Sequence, residues 1–198
     1  MEKPLDESFW KNKYKNNNIG WDIGEVSTPL KTYFDQLENK DLKILIPGAG
    51  NAYEARYLFE NGFSNVSVID LVQAPIDNLF KSCPNFPKRN VHKVDLFDFK
   101  LSGFDLIIEQ TFFCALNPEL RGHYVEKMLE LLKLGGKLIG VLFNIPLYDD
   151  HPPFGGNREE YLPLFEKYFK INVFDTCYNS IPPRAGNELF INLEKQED

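Results

Sequence analysis

Four stretches of the sequence carry residue types and spacings suited to holding a small molecule. Pro47-Gly48-Ala49-Gly50 follows the apolar run Leu42–Ile46 and precedes a helical pattern. Glycines at such a turn let the backbone approach a ligand, and the helix that follows offers free N–H groups. Asp70 ends a second apolar run, 20 residues after Gly50. A carboxylate there can accept both hydroxyls of a ribose. Asp95-Leu96 follows a third run, placed to meet an adenine edge, and Glu109-Gln110 follows a fourth, ahead of Thr111-Phe112-Phe113. Alone, each has a plain alternative: a tight turn, a helix-capping acid, a solvated loop acid, core aromatics. Together they describe an adenosine-containing cofactor lying across the ends of several strands.

The elements that must position these residues follow from periodicity. Strands are expected over 42–46, 66–69, 91–94, 104–108 and 137–143, and helices over 52–61, 74–81 and 118–133 between them. Gly135-Gly136 is read as the stop of the 118–133 helix. Thr28, followed by Pro29, is read as the N-cap of a helix carrying Leu30, Phe34 and Leu37. Strands alternating with helices imply a parallel sheet covered on both faces, and right-handed crossovers make it doubly wound. A helix over 159–169 and strands over 170–178 and 188–193 close the chain. The turn between these strands holds Pro182, Pro183 and Gly186, so they are expected to pair antiparallel. Before the fold, a helix begun at Asp6 or Glu7 is broken by Asn16-Asn17-Asn18.

Composition narrows the function. The 198 residues suit one domain, taken as 1–198, with no room for a second substrate domain. Lys and Arg number 22 against 29 Asp and Glu, a net charge of -7 that opposes a nucleic-acid partner. Cys83, Cys114 and Cys177 are widely spaced and His92, His123 and His151 isolated, so neither a metal site nor a disulfide framework is indicated. No apolar run approaches a membrane span, and Met1–Trp10 has no apolar signal core. A cytoplasmic enzyme acting on a small molecule is expected. The cofactor is either a nicotinamide dinucleotide or S-adenosylmethionine. Three points favour the latter: Tyr53 stands where the third dinucleotide-binding glycine would be, the chain is short for a two-part dehydrogenase, and an antiparallel strand pair is unlike a second mononucleotide half. His151-Pro152-Pro153-Phe154 echoes the motif of adenine methyltransferases, but after the fifth strand and without the amide or acid that holds an amino group.

Over nearly its whole length the chain resembles the thiopurine S-methyltransferase family, in particular its halide, thiocyanate and thiol methyltransferase branch. The resemblance rests on Trp10, Tyr14 and Trp21, on LIPGAG at 45–50, VID at 68–70 and DLIIEQTFFCALNPELR at 105–121, with KLGGKL at 133–138 and PPF at 152–154. It implies a Rossmann-like α/β fold with a mostly parallel seven-stranded sheet and an antiparallel C-terminal strand. It also implies an N-terminal aromatic lid, residues 1–27, closing over S-adenosylmethionine. By the same resemblance, Trp10, Tyr14 and Trp21 line the cofactor, Gly48 contacts its methionine part, Asp70 its ribose, and Asp95 and Leu96 its adenine. Tyr14 stands where tryptophan is common, and Gln110 where relatives carry arginine or tyrosine near the cofactor. The implied reaction moves a methyl group to a thiol, hydrosulfide, thiocyanate, halide or thiopurine, with O- or N-methylation on the same fold as the alternative. A sulfonium cation suits aromatic faces on its own physical merits. Phe112, Phe113 and Phe154 are expected to shape a small apolar pocket, and Arg184 to attract an anionic substrate. No metal and no certain catalytic base are identified; Glu109 and His151 are the nearest candidates for a base. A monomer is expected.

Overall fold

The computed structural model describes residues 5–196; positions 1–4 of the expected lid and positions 197 and 198 of the expected domain lie outside them. Seven strands form one sheet in the order β3-β2-β1-β4-β5-β7-β6. They are β1 (Ile44–Pro47), β2 (Val66–Asp70), β3 (Val91–Lys93), β4 (Phe104–Gln110), β5 (Leu132–Phe143), β6 (Phe169–Thr176) and β7 (Glu188–Lys195). β1 to β5 pair in parallel, while β7 runs antiparallel to both β5 and β6. The reversal of strand order at β1 leaves a crevice between the β1 and β4 ends, where open parallel sheets bind ligands.

Alternation along the central strands builds the two faces. Ile44 and Ile46 of β1, with Leu106 and Ile108 of β4, pack on α2 (Thr28–Phe34), α3 (Tyr53–Glu60) and α4 (Gln73–Ser82). Leu45 and Ile107, pointing the other way, pack on α5 (Arg121–Leu131) and α6 (Arg158–Glu166). Both faces are therefore dry, as all-parallel strands require. The N-terminal helix α1 (Glu7–Lys15) starts where Asp6 accepts from the Phe9 N–H and ends at Asn16; it has no buried residue.

Three local expectations are corrected. Ser27, not Thr28, is the residue before α2, and its side chain makes no capping bond. The helix read as 118–133 is a single 3₁₀ turn, Pro118–Leu120, followed by α5, which ends at Leu131. Gly135 and Gly136 do not stop that helix. They lie within β5, where the register against β4 slips between Phe104/Leu132 and Leu106/Lys137, and Gly135 takes φ +71°. Such a slip needs a residue free to adopt positive φ, which glycine supplies. Among the described residues, no helix is long and apolar enough to cross a membrane.

One contact joins the sheet centre to its functional edge. A Cβ built on Gly140 of β5 would lie 2.7 Å from the carbonyl oxygen of Glu109 and 2.8 Å from its Cγ. Gly140→Ala is expected to cost about 1–3 kcal/mol of stability in urea denaturation, through overpacking against β4. A loss under about 0.5 kcal/mol would show that this neighbour yields freely.

Candidate active site

A cavity of about 480 Å³ opens over the carboxyl ends of β1 to β4. The β1 turn forms its floor. Gly48 and Gly50 both hold positive φ, +55° and +54°, and Ala52 follows in the left-handed region before α3 begins. Gly48 donates its N–H to the Ile69 carbonyl at 2.9 Å. A side chain there would overlap the Phe112 ring. The glycine therefore serves both the turn and the close approach of the β4 segment.

Asp70 is buried at the end of β2 and accepts from the Val72 N–H at 2.9 Å. Burial pushes its carboxyl up to about 6, against the pull of the surrounding backbone N–H groups. Asp95 and Leu96 follow β3; Asp95 accepts from the Phe97 N–H at 2.8 Å. Gln110 ends β4 on the cavity wall, with its buried Oε1 unpaired. The cavity is acidic. Among the described residues, Asp22, Glu25, Glu54, Asp70 and Asp95 line it, and Lys13 alone among the lining side chains is basic. Such a lining favours a ligand that carries positive charge.

The N-terminal segment covers this floor. Trp10 and Trp21 meet edge-on with ring centres 5.7 Å apart, and Tyr14 meets Trp21 at 5.9 Å. All three line the cavity. Burial, then the charges of Asp70 and Asp22, hold the Tyr14 hydroxyl protonated. Asp22 fixes the N-terminal segment to the β1 turn, accepting from the Tyr53 hydroxyl at 3.1 Å and Asn51 Nδ2, and closes its own turn by accepting from the Gly24 N–H at 2.7 Å. Glu54, fully buried on α3, accepts from the Ser27 N–H at 3.1 Å, and burial raises its carboxyl.

Of the twelve cofactor and pocket residues named from sequence, nine line one cavity: Trp10, Tyr14, Trp21, Gly48, Asp70, Asp95, Leu96, Gln110 and Phe112. Three do not. Phe113 turns into the core, 1% exposed, against Tyr124, Tyr161 and Phe165. Phe154 is also buried, its N–H bonded to the Cys114 carbonyl at 2.7 Å; its neighbours Pro152 and Pro153 face the cavity instead. Arg184 is no free anion receptor. It donates to the Trp21 carbonyl at 2.8 Å and to Glu188 at 3.2 Å, with its guanidinium over the Phe143 ring. Glu109 is sealed beneath the wall, and His151 is half exposed against Tyr148.

Sequence reasoning passed over Asp22 and Glu54. Asp22-Ile23-Gly24 carried a signal, since aspartate two residues before glycine favours a side-chain-closed turn. Glu54 carried none beyond being an acid inside the first turn of α3. Among the described residues, no cluster of three or more His, Cys, Asp or Glu side chains could hold a metal ion.

The Arg184–Glu188 pair is 12% and 3% exposed, so removing one partner strands a buried charge. Arg184→Met is expected to cost about 3–5 kcal/mol in denaturant unfolding, and Arg184→Met/Glu188→Leu to recover most of it. Equal losses in the single and double variants would show that the pair itself is not what holds this corner.

Comparison with known proteins agrees with this geometry. The chain is 26% identical to thiocyanate methyltransferase 1 of Arabidopsis thaliana over 196 residues, covering 95% of this chain and 85% of that protein. It is 29% identical to thiopurine S-methyltransferase of Vibrio campbellii over 192 residues, covering 88% and 86%. In fold it is similar to 1,6-didemethyltoxoflavin-N1-methyltransferase of Burkholderia thailandensis, solved with S-adenosylhomocysteine: TM-score 0.76, 17% identity, 100% of this chain and 94% of that one covered. The family model described as thiopurine S-methyltransferase matches residues 5–194, and on that match the chain belongs to the thiopurine S-methyltransferase family.

Proposed function

We infer that the protein is an S-adenosylmethionine-dependent methyltransferase acting on a small soft nucleophile: a thiol, hydrosulfide, thiocyanate, halide or thiopurine. The observation that carries this reading is one acidic cavity lined by the Gly48–Gly50 turn, Asp70, Asp95 and a Trp10–Tyr14–Trp21 cluster. Thiocyanate and thiopurine methyltransferases among the relatives support the choice of nucleophile.

The residues present fit the cofactor. Asp70 would accept from its ribose hydroxyls, and Asp95 and Leu96 would flank its adenine. The backbone at Gly48 leaves room for its methionine part, and the aromatic cluster with the acidic lining suits its charge. When bound, it supplies a methyl group made electrophilic by a sulfonium. The chain's own contribution is then position and exclusion of water. Phe112, Leu116, Pro152 and Pro153 form an apolar wall beside Gln110. A thiolate or halide needs no proton removed at that wall, and no histidine lines it. The N-terminal segment, from residue 5 to 27, acts as the lid of a single domain, with Arg184 as its tie to the β6–β7 loop. The working protein is a cytoplasmic monomer.

The test is S-adenosylhomocysteine release across hydrosulfide, thiophenol, thiocyanate, iodide, a thiopurine, a catechol and an amine. Turnover is expected with sulfur and halide acceptors; turnover with only the catechol or the amine would overturn the reading. Asp70 adds a pH signature. Its carboxyl is protonated below about 6, and a protonated carboxyl loses acceptor strength toward the ribose hydroxyls. Cofactor affinity, by calorimetry, is therefore expected to fall by up to about tenfold per pH unit below that point. Asp70→Asn should be weak and nearly flat over the same range. An undiminished, pH-dependent affinity in that variant would remove Asp70 from the ribose.

A further inference from the structure

The turn that follows β4 supplies the wall of the proposed acceptor pocket, and its backbone is not at rest. Thr111 takes φ +58°, a left-handed conformation that a β-branched residue adopts only when its surroundings force it. On either side of it, Gln110 and Phe112 face the cavity.

What holds this turn is visible directly. Glu109 is 0% exposed and does not line the cavity. Its Oε1 accepts from the N–H groups of Phe112 at 2.6 Å and Phe113 at 3.0 Å, and its Oε2 accepts from the Tyr124 hydroxyl at 2.7 Å. Tyr124 is itself fully buried on α5, with its ring 6.3 Å from that of Phe112. Gly140 closes the β5 side of Glu109. The Thr111 carbonyl accepts from the Cys114 thiol at 3.0 Å, and the Cys114 carbonyl accepts from the Phe154 N–H at 2.7 Å. The loop carrying Pro152 and Pro153 thus hangs from the same turn as Phe112.

We propose that Glu109 is a positioning residue, whose sealed carboxylate clamps the strained β4 turn so that Gln110, Thr111 and Phe112 present a fixed wall to the methyl acceptor, and that it takes no proton from that acceptor. The inference rests on the methyltransferase reading above. A general base must come within hydrogen-bond reach of the proton it removes, directly or through one water. Here both carboxylate oxygens are engaged, and the cavity stops short of them. Burial raises the carboxyl to about 7, while Tyr124 and the two N–H groups pull it down. Tyr124 and Cys114 are the titratable neighbours through which its charge acts, and burial raises both.

The two roles separate by the proton on the acceptor. A base matters only to an acceptor that must lose a proton; a clamp matters equally to one that has none. The experiment compares the whole enzyme with Glu109→Ala, Glu109→Gln and Tyr124→Phe on two acceptors the wild type turns over, one that still carries its proton at neutral pH, an alkyl thiol, and one aprotic, iodide. Glu109→Ala is expected to lose roughly 100-fold in kcat/KM on both, the scale of a small misplacement of the wall, with S-adenosylhomocysteine affinity within about threefold. A glutamine carbonyl can accept both N–H groups while its amide donates to the Tyr124 oxygen. Glu109→Gln should therefore recover activity on both acceptors to within about tenfold of wild type, and Tyr124→Phe should lose a smaller, equal factor on both.

Glu109→Gln active toward iodide but silent toward the alkyl thiol would make Glu109 a base and overturn the proposal. So would a Glu109→Ala enzyme as active as wild type. If Glu109→Ala fails to fold, the glutamine and Tyr124→Phe variants still decide between clamp and base. A wild-type enzyme silent toward every acceptor would instead sink the methyltransferase reading, a failure distinct from either of these.

Discussion

A carboxylate taken out of water must find donors, and the ligand end of this sheet is organised around four that do. Glu54, Asp70, Glu109 and Glu188 are all buried. Each is bonded to a different segment: Glu54 to Ser27 at the base of the lid, Asp70 to the turn after β2, Glu109 to the turn after β4, and Glu188 to Arg184. Leaving such a group unpaired costs several kcal/mol, far more than an ordinary contact is worth. The segments therefore cannot drift without leaving a buried carboxyl short of its donors. Irregular chain around the cavity gains definition that its few apolar contacts would not supply.

The same constraint joins parts of the chain that are remote in sequence. Arg184 lies in the β6–β7 loop, yet it holds the carbonyl of Trp21, and Asn179 from the same loop donates to Thr32 at 3.1 Å. Lys93 at the end of β3 pairs with Glu7 on α1 at 2.6 Å, but that pair is well exposed and contributes little. The N-terminal segment is thus held firmly at its base and lightly along its helix. Trp21 is registered on the β1 turn while Trp10 and Tyr14 ride on a helix with no buried residue.

How much of this was legible follows the same division. Residues at the ends of regular strands could be read, because a strand's end fixes where its last side chain and the next turn must lie. Gly48, Asp70, Asp95 and Gln110 accordingly meet in one cavity. Phe113 could not be separated from Phe112, since strand alternation stops at Gln110 and the left-handed Thr111 redirects the chain. Phe154 and Arg184 were misplaced for another reason. Their environments are set by Cys114 and by Trp21 and Glu188, partners that no local pattern announces. Gly135-Gly136 looked like a helix stop because a glycine pair permits a helix end and a strand bulge equally well; the pairing of Leu132 with Phe104 selects the bulge.

The distribution of charge also bears on the apolar wall of the cavity. Methyl transfer from a sulfonium to an anionic nucleophile turns a pair of opposite charges into two neutral products. The transition state is less charged than the reactants, so replacing water by apolar side chains at the meeting point lowers the barrier. Phe112, Leu116, Pro152 and Pro153 supply such a surface, and the five cavity acids come from the lid, α3, β2 and the turn after β3, not from that wall. Arg121 and Arg184, the arginines near it, are turned away into bonds with the Gly155 and Trp21 carbonyls. A free guanidinium at the wall would stabilise the anion more before reaction than in the less charged transition state, and so raise the barrier. With both arginines tied into the framework, attraction of an anionic nucleophile would be left to the sulfonium of a bound cofactor.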